Sequence, residues 1–243
     1  MRDGVLNVMG ALVVLWITQS SVLAQSPDGN FTTGLSIGAN YVSIANLKQT
    51  FCSDDGKPTF ELSEKRHITP IVSIVAQYRF PTSLVAVEGS VGYFQTRGEV
   101  EKTATHATET YDIKLNHITL GAGAKVYPVK GAFVKAAICA GPCLNGTSCV
   151  RYDAMGVTNT AKMQVEDHVN QTVKGRTLVR ADLSLGYEFP TGLTIEAFYG
   201  KCLTDLLEVG INDYGYTEQR NDSQYASLSV GWLLTKNRFS KKQ

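Results

Sequence analysis

Apolar and polar residues alternate with a period of two through much of the chain, most clearly between His67 and Arg97. Over residues 72–80 the even positions are Val, Ile, Ala, Tyr and Phe, whereas most of the intervening residues are polar. A short FPTS turn at residues 80–83 leads to a second alternating segment at residues 85–97. Successive strand residues point to opposite faces, so the pattern predicts a hairpin with one apolar and one polar face.

The same alternation recurs along the rest of the chain and predicts eight strands in all. They cover residues 33–42, 67–80, 85–97, 111–126, 132–140, 179–189, 193–200 and 225–234. The fourth strand changes phase, because Tyr111, Ile113 and Leu115 are apolar on the face that is polar farther along. Either a bulge or a strand that continues above a membrane would explain this change.

The connections alternate between long polar segments and short proline turns. The long ones are residues 44–66, 99–109, 143–176 and 205–224; the short ones are residues 80–83, 127–131 and 189–192. Outer-membrane barrels have long outer loops and tight periplasmic turns, and a tilted strand of about 9–11 residues crosses the bilayer. The prediction is therefore an all-β, eight-stranded antiparallel transmembrane up-and-down β-barrel, with its apolar rows toward lipid and both termini in the periplasm.

Aromatic residues cluster beside the short turns, where an interfacial girdle is expected. They are Tyr78, Phe80, Tyr127, Tyr187 and Phe189.

The N-terminus has the pattern of a secretory signal peptide. Residues 11–17 are an apolar core, and residues 22–24 (VLA) place small side chains before a cleavage site after Ala24. The core is far shorter than the roughly 20 residues of a spanning helix. Residue 25 is Gln rather than Cys, which argues against a lipid anchor. The predicted division is a signal peptide at 1–24 and an outer-membrane barrel domain at 25–243.

Eight charged residues fall on the face assigned to the lumen. They are Arg79, Glu88, Lys125, Lys135, Arg180, Asp182, Glu188 and Glu196. An eight-stranded barrel is just wide enough for side chains to fill, so these charges must pair or be hydrated. The sequence predicts a structural salt-bridge network, with a proton or ion path along the same residues as the alternative; a wide pore is not expected.

The chain has five cysteines, so at least one lacks an intrachain partner. The pairs Cys143–Cys149 and Cys139–Cys202 are the predicted disulfides. The cysteine spacing lacks the C-x2-C knuckles of zinc sites, and neither a metal nor a cofactor is expected. A formal net charge of +1 with no basic block argues against nucleic-acid binding.

Two other functions are compatible with parts of the sequence. His106, His168 and Asp167 lie in predicted outer loops rich in Ser and Thr, as in outer-membrane barrel enzymes of lipase or protease type, although no G-x-S-x-G or H-E-x-x-H motif occurs. A soluble lipocalin-like carrier would also use alternating strands, but it needs an apolar interior and a polar exterior.

Five segments resemble the PorT-like outer-membrane β-barrel proteins of the Bacteroidetes. These are residues 34–41 (GLSIGANY), 118–128 (ITLGAGAKVYP), 182–189 (DLSLGYEF), 199–205 (YGKCLTD) and 227–233 (SLSVGWL). The resemblance implies an eight-stranded barrel in the outer membrane. Most members of that family lack an assigned reaction, and its namesake belongs to a protein-secretion apparatus.

Together these observations predict a non-enzymatic, OmpA- or OmpX-like barrel of the bacterial outer membrane. It would be a monomer surrounded by outer-membrane lipid. Its outer loops would have a structural or surface-interaction role, with an unidentified extracellular or periplasmic protein as partner and a possible link to protein secretion.

Overall fold

The computed structural model describes residues 30–51, 61–81, 83–104, 107–144, 149–154, 156–212 and 215–234. The predicted signal peptide lies outside these ranges. Within them, no helix has the length and apolar character needed to cross a membrane.

Strands dominate the described residues. They are β1 (Asn30–Ile44), β2 (Glu61–Lys65), β3 (His67–Arg79), β4 (Val85–Ala104), β5 (Ala107–Val129), β6 (Ala132–Gly141), β7 (Cys149–Ala154), β8 (Val173–Gly175), β9 (Leu178–Glu188), β10 (Leu193–Cys202), β11 (Leu207–Val209) and β12 (Ser223–Leu234). The described helices are α1 (Leu47–Phe51) and α2 (Asn159–Thr172).

Eight of the strands in the described ranges form a closed antiparallel ring. Its order is β1, β3, β4, β5, β6, β9, β10 and β12, and β12 pairs with β1 to complete it. Each ring strand pairs with the preceding and following ring strands, as the alternating long and short connections require. The predicted eight-stranded up-and-down barrel is confirmed.

The apolar rows face outward along every strand of the ring. Examples exposed by more than half are Leu35, Ile37, Leu120, Ile138, Leu183, Leu185, Leu228 and Trp232. The inner face carries polar and charged residues, among them Gln77, Glu88, Lys125 and Arg180, all buried. This facing is the one predicted, and it is the reverse of what a lipocalin-like carrier needs.

Outward aromatic residues mark two levels on the barrel wall. Near the short turns, Tyr78 packs against Phe80 and Tyr187 against Phe189, with ring centroids 5.2 and 4.8 Å apart. Tyr41, at the other end of β1, marks the outer level. The ten steps from Phe31 to Tyr41 span about 33 Å along the strand. That is about 25 Å along the axis of a barrel with strands tilted by about 40°, the height of an outer-membrane apolar band.

Tyr127 does not belong to this girdle, so its predicted position is wrong. It lies on the same inward column of β5 as Lys125, is 1% exposed and packs with Phe133 and Ala86 inside the barrel. Strand alternation outweighs proximity to the turn, since two residues along a strand always return to the same face.

The phase change in the fourth predicted strand reflects continuation of the strand above the membrane, not a bulge. β4 and β5 pair without interruption from Val85 opposite Val126 to Ala104 opposite Ala107. A register irregularity does occur in β5, but between Val126 and Val129 at the opposite end. Tyr111, Ile113 and Leu115 therefore point inward, above the lumen, where they meet apolar partners from the long connections.

Those partners give the long connections a structure that their polar composition did not predict. Helix α1, helix α2 and the small β8–β11 sheet pack over the outer mouth of the barrel. We call this assembly, with the inward residues of upper β4 and β5, the outer cap. Its buried apolar members include Leu47, Phe51, Val100, Tyr111, Ile113, Leu115, Val169, Val173, Leu206, Leu207 and Tyr216.

Candidate functional site

All eight charged residues assigned to the lumen lie on inward positions of the ring strands. They fall into three groups stacked along the barrel axis. The pairing of the ring strands brings the members of each group together from distant parts of the sequence. Every group contains both signs of charge.

The central group is a chain of ion pairs built on Glu88. Lys125 contacts one Glu88 oxygen at 2.5 Å, and Lys135 contacts the other at 3.1 Å. Lys135 also reaches Glu196 at 2.5 Å, and Lys125 donates to Oε1 of Gln77 at 2.8 Å. These side chains are nearly fully buried, so the shared carboxylate is what compensates the two ammonium groups for lost water.

The group nearest the outer cap is organised around Arg180. Its guanidinium lies 3.5 Å from Asp182, donates to the Tyr225 hydroxyl at 3.0 Å and stacks over the Phe94 ring at 4.2 Å. The Tyr225 hydroxyl in turn hydrogen-bonds Asp182. Gly200 makes room for this contact, because a Cβ at that position would overlap both Tyr225 and Asp182.

The third group closes the periplasmic end. The Arg79 guanidinium lies 4.0 Å from the Tyr127 ring centroid, and Tyr127 donates to Oε2 of Glu188 at 2.7 Å. Phe133 fills the remaining space beside Tyr127, with ring centroids 5.9 Å apart. This stack explains why an aromatic residue is needed inside the barrel next to a turn.

A cavity of about 70 Å³ lies within the lumen. Glu88, Lys135, Arg180, Asp182 and Glu196 are among the residues that line it. It can hold several waters. The four cations and four anions of the lumen balance, and aromatic residues lie both above the cavity (Phe94, Tyr225) and below it (Tyr127, Phe133). This arrangement favours a filled, neutral interior over one that attracts an ion of either sign.

Sequence reasoning missed four members of these groups: Gln77, Phe94, Phe133 and Tyr225. All four stand on inward positions of their strands, so the alternation itself was a usable signal. The alternation could not identify their contact partners, which lie on other strands of the barrel.

The predicted disulfides are wrong, because Cys139, Cys143 and Cys202 are free thiols. Cys139 on β6 and Cys202 on β10 both pair with Arg180 of β9, from opposite sides. A whole strand separates them, which puts their backbones about 9.6 Å apart, beyond disulfide reach. The Cys139 thiol instead donates to Asp182 Oδ2 at 3.8 Å.

The second pair fails for a similar reason. Cys143 pairs opposite His117 and Cys149 opposite Lys114 on the same strand, β5. Three strand residues correspond to about 10 Å, again too far for a disulfide.

The residues proposed for an enzyme do not assemble where the structure describes them. Asp167 and His168 are consecutive on α2, where neighbouring residues point in different directions. The His168 ring contacts the Thr172 hydroxyl one turn later, at 3.4 Å. His106 lies outside the described residues. Within the described ranges, no group of three or more His, Cys, Asp or Glu residues is arranged to hold a metal ion.

The outer half of the β4–β5 hairpin carries paired charges on its outward face. Arg97 forms a two-point contact with Asp112 at 2.7 and 2.8 Å, which raises the pKa of the guanidinium. Lys65 donates to Glu101 at 2.6 Å and to Glu99 at 2.9 Å. These two hydrogen bonds raise the pKa of the Lys65 ammonium.

Comparison with known proteins returns no matching family model and no matching curated protein. Solved structures similar to this chain include Ail, the attachment invasion locus protein of Yersinia pestis, in complex with the heparin analogue sucrose octasulfate. It is 12% identical, with 85% of this chain and 99% of Ail covered and a TM-score of 0.38.

Two further solved structures are similar to the chain at the same level. Neisserial surface protein A is 12% identical, with 83% and 96% covered and a TM-score of 0.39. The outer membrane protein OprG of Pseudomonas aeruginosa is 9% identical, with 86% and 96% covered and a TM-score of 0.39. The assignment of this chain as an eight-stranded barrel rests on its own closed ladder of strands.

Proposed function

We propose that this protein is a non-enzymatic β-barrel of the bacterial outer membrane that acts through the exposed surface of its outer cap. One observation carries the proposal: the outer mouth is covered by a cap whose buried apolar residues pack onto the upper wall, above a lumen filled by ion pairs. A barrel closed in this way has no open route for a solute. The cap, by contrast, presents a folded surface to the outside.

Placement in a membrane is supported by the outward apolar rows. Soluble proteins rarely expose contiguous apolar patches larger than a few hundred Å², whereas here the rows encircle the barrel between two levels of aromatic residues. A closed barrel also satisfies every backbone hydrogen bond of its ring, as the hydrocarbon core demands. We propose the outer membrane because the long and short connections segregate to opposite ends.

A charge at mid-wall tests this placement. Ile37 of β1 is 61% exposed, pairs with Val72 and Val230, and lies near the middle of the apolar band, between Phe31 and Tyr41. We expect Ile37→Arg to destabilise the barrel folded in lipid vesicles by about 2–4 kcal/mol, the cost of Arg at the bilayer midplane. The readout is the urea midpoint, followed by heat-modifiable migration on a gel. Lys201→Arg, an exposed change above the band, is the control.

If Ile37→Arg leaves the midpoint in vesicles unchanged, Ile37 does not face lipid and the membrane placement is wrong. The wild-type barrel is also expected to show no steady conductance in planar bilayers; an open-channel current would overturn the closed-lumen function.

We also propose that the protein reaches the outer membrane by export with cleavage after Ala24. The apolar core at residues 11–17 and the small residues before position 25 support this proposal. N-terminal sequencing of the protein purified from outer membranes is expected to begin at Gln25. A sequence that begins at Met1 would contradict cleavage.

Kinship with the PorT-like barrels is a further part of the proposal, supported by the five segments that resemble them. A role in protein secretion would then be played by the cap as a binding surface, because a lumen filled by side chains is too narrow for a polypeptide. Crosslinking of the monomeric barrel in intact cells, followed by identification of proteins joined to the cap, tests for such a partner.

A further inference from the structure

We propose that a cationic patch on the outer rim of the barrel binds the phosphate groups of a phosphorylated glycolipid in the outer leaflet. The patch consists of Arg66, Lys201 and Arg220 around Ser43 and Gln224. The inference rests on the proposed outer-membrane placement, and it adds a specific lipid ligand to it.

The strand register sets these residues in one row. Lys201 of β10 pairs with Gln224 of β12, which pairs with Ser43 of β1. Val42 pairs with His67 of β3. In the same antiparallel register, Arg66 comes next to Ser43. The row from Lys201 to Arg66 thus crosses three strand spacings, or about 14 Å. The long side chains at its two ends can both reach toward its middle.

Directly below this row lie two exposed tyrosines of the outer aromatic level. Tyr41 and Tyr199 both pair with Ala226, one from each side. The Arg66 guanidinium is 5.6 Å from the Tyr41 ring centroid, and the Tyr199 hydroxyl donates to Oε1 of Gln224 at 2.8 Å. Tyrosines at this level mark the boundary between acyl chains and head groups. The row therefore stands at the height of the head groups.

The patch carries an excess of positive charge. Among the described ion pairs of its cations, the acid is Asp222, which lies 3.5 Å from Lys201 and 3.9 Å from Arg220. The Arg220 side chain is 73% exposed. On the next strands of the wall, β4 and β5, the acids already have cations of their own, since Arg97 and Lys114 contact Asp112 and Lys65 contacts Glu99 and Glu101.

The polar groups between the cations favour a sugar phosphate over a phosphate alone. The side-chain amide of Gln224 keeps its N–H donors, because the Tyr199 hydroxyl occupies its oxygen. The Ser43 hydroxyl stands beside it on the next strand. Guanidinium and ammonium groups bind phosphate oxygens, while amide and hydroxyl groups suit sugar hydroxyls. A phosphorylated sugar attached to acyl chains would use the whole surface from the apolar rows to the cations.

The test compares charge variants of the folded barrel in detergent micelles. The probe is lipid A, a bis-phosphorylated, acylated glucosamine disaccharide, and binding is followed by intrinsic fluorescence and by the rise in Tm. The variant R66Q/K201Q/R220Q removes the patch cations. The variant K102Q/K162Q/K174Q removes three cations from the cap and matches the change in net charge.

We expect the patch variant to bind lipid A about a hundredfold more weakly, from about fivefold per cation near a charged lipid surface. The cap variant should bind within about twofold of the wild type, and dephosphorylated lipid A should bind weakly to all three proteins. Equal affinities of the two triple variants would overturn the inference. So would equal binding of the dephosphorylated lipid, or displacement of lipid A by inorganic pyrophosphate at similar concentrations, which would indicate a free-anion site.

Failure of this inference is distinguishable from failure of the proposed function. A barrel that migrates as a folded, heat-modifiable species but shows no preference for phosphorylated lipid loses the lipid site alone. A wild-type chain that does not fold in micelles or vesicles contradicts the barrel placement itself.

Discussion

Replacement of Glu88 by alanine is expected to lower the free energy of unfolding by about 3 kcal/mol. The change deletes the carboxylate that Lys125 and Lys135 share, both of which are buried among the lumen side chains. Removal of one partner from a buried ion pair leaves the other charge uncompensated. The loss falls at the lower end of the usual range because Lys135 keeps Glu196 and Lys125 keeps Gln77. Urea unfolding in micelles measures it as a lower midpoint.

A double variant separates the charge effect from the loss of volume. E88M/K125M removes one cation and one anion, fills the space with apolar side chains and leaves the Lys135–Glu196 pair intact. Buried pairs replaced in this way often cost little, so most of the loss in E88A should be recovered. If E88A unfolds at the wild-type midpoint, water in the cavity hydrates the lysines and the network does not stabilise the barrel.

Replacement of Phe51 by alanine is expected to loosen the outer cap without opening the membrane-spanning ring. Phe51 is 1% exposed, stacks on Tyr111 at 4.9 Å and meets Tyr216 edge-on at 5.1 Å. Truncation of a buried phenylalanine costs about 3–5 kcal/mol. Because Phe51 lies in the cap, above the membrane-spanning part of the wall, the cost should appear as local opening of the cap. Limited trypsin digestion of the folded barrel should cut the cap about a hundredfold faster or more.

Met163→Ala provides the matched control, since Met163 lies on α2 of the same cap but is 63% exposed. Its digestion rate should stay close to that of the wild type. The heat-modifiable shift of F51A should also persist, because the ring contacts of Phe51 are with Tyr111 and Tyr216, above the membrane-spanning part of the wall. Simultaneous loss of cap and ring in F51A would show that the two unfold as one unit.

The barrel wall was predictable from the sequence because the side chains of a strand alternate between its two faces. One neighbouring pair, such as the apolar Leu183 and the polar Ser184, already indicates which face is turned to lipid and which to the lumen. Each further pair along the strand gives the same assignment. Tyr127 shows the limit of any other criterion. Its nearness to a turn suggested the girdle, but its separation of two residues from Lys125 fixed it inside.

The structure of the cap and the state of the cysteines could not be predicted from the sequence, for different physical reasons. The cap core joins Phe51, Tyr111 and Tyr216, which stand far apart in polar surroundings and become neighbours only after the ring has closed. The distance between Cys139 and Cys202 depends on the strand that runs between them. Neither the contacts of the cap core nor the distance between the two cysteines follows from the local sequence pattern. Both depend on how the strands pair in three dimensions.

The uninterrupted pairing of β4 with β5 extends well past the outward Tyr93. From Tyr93 opposite Ile118 to Ala104 opposite Ala107 the two strands continue as a ribbon of about 35 Å, measured along the strands. In this stretch β2 pairs along the free edge of β4, and β7 pairs along the free edge of β5. The hairpin is therefore braced on both edges and stands as part of a four-stranded sheet, so its rigidity does not depend on the membrane.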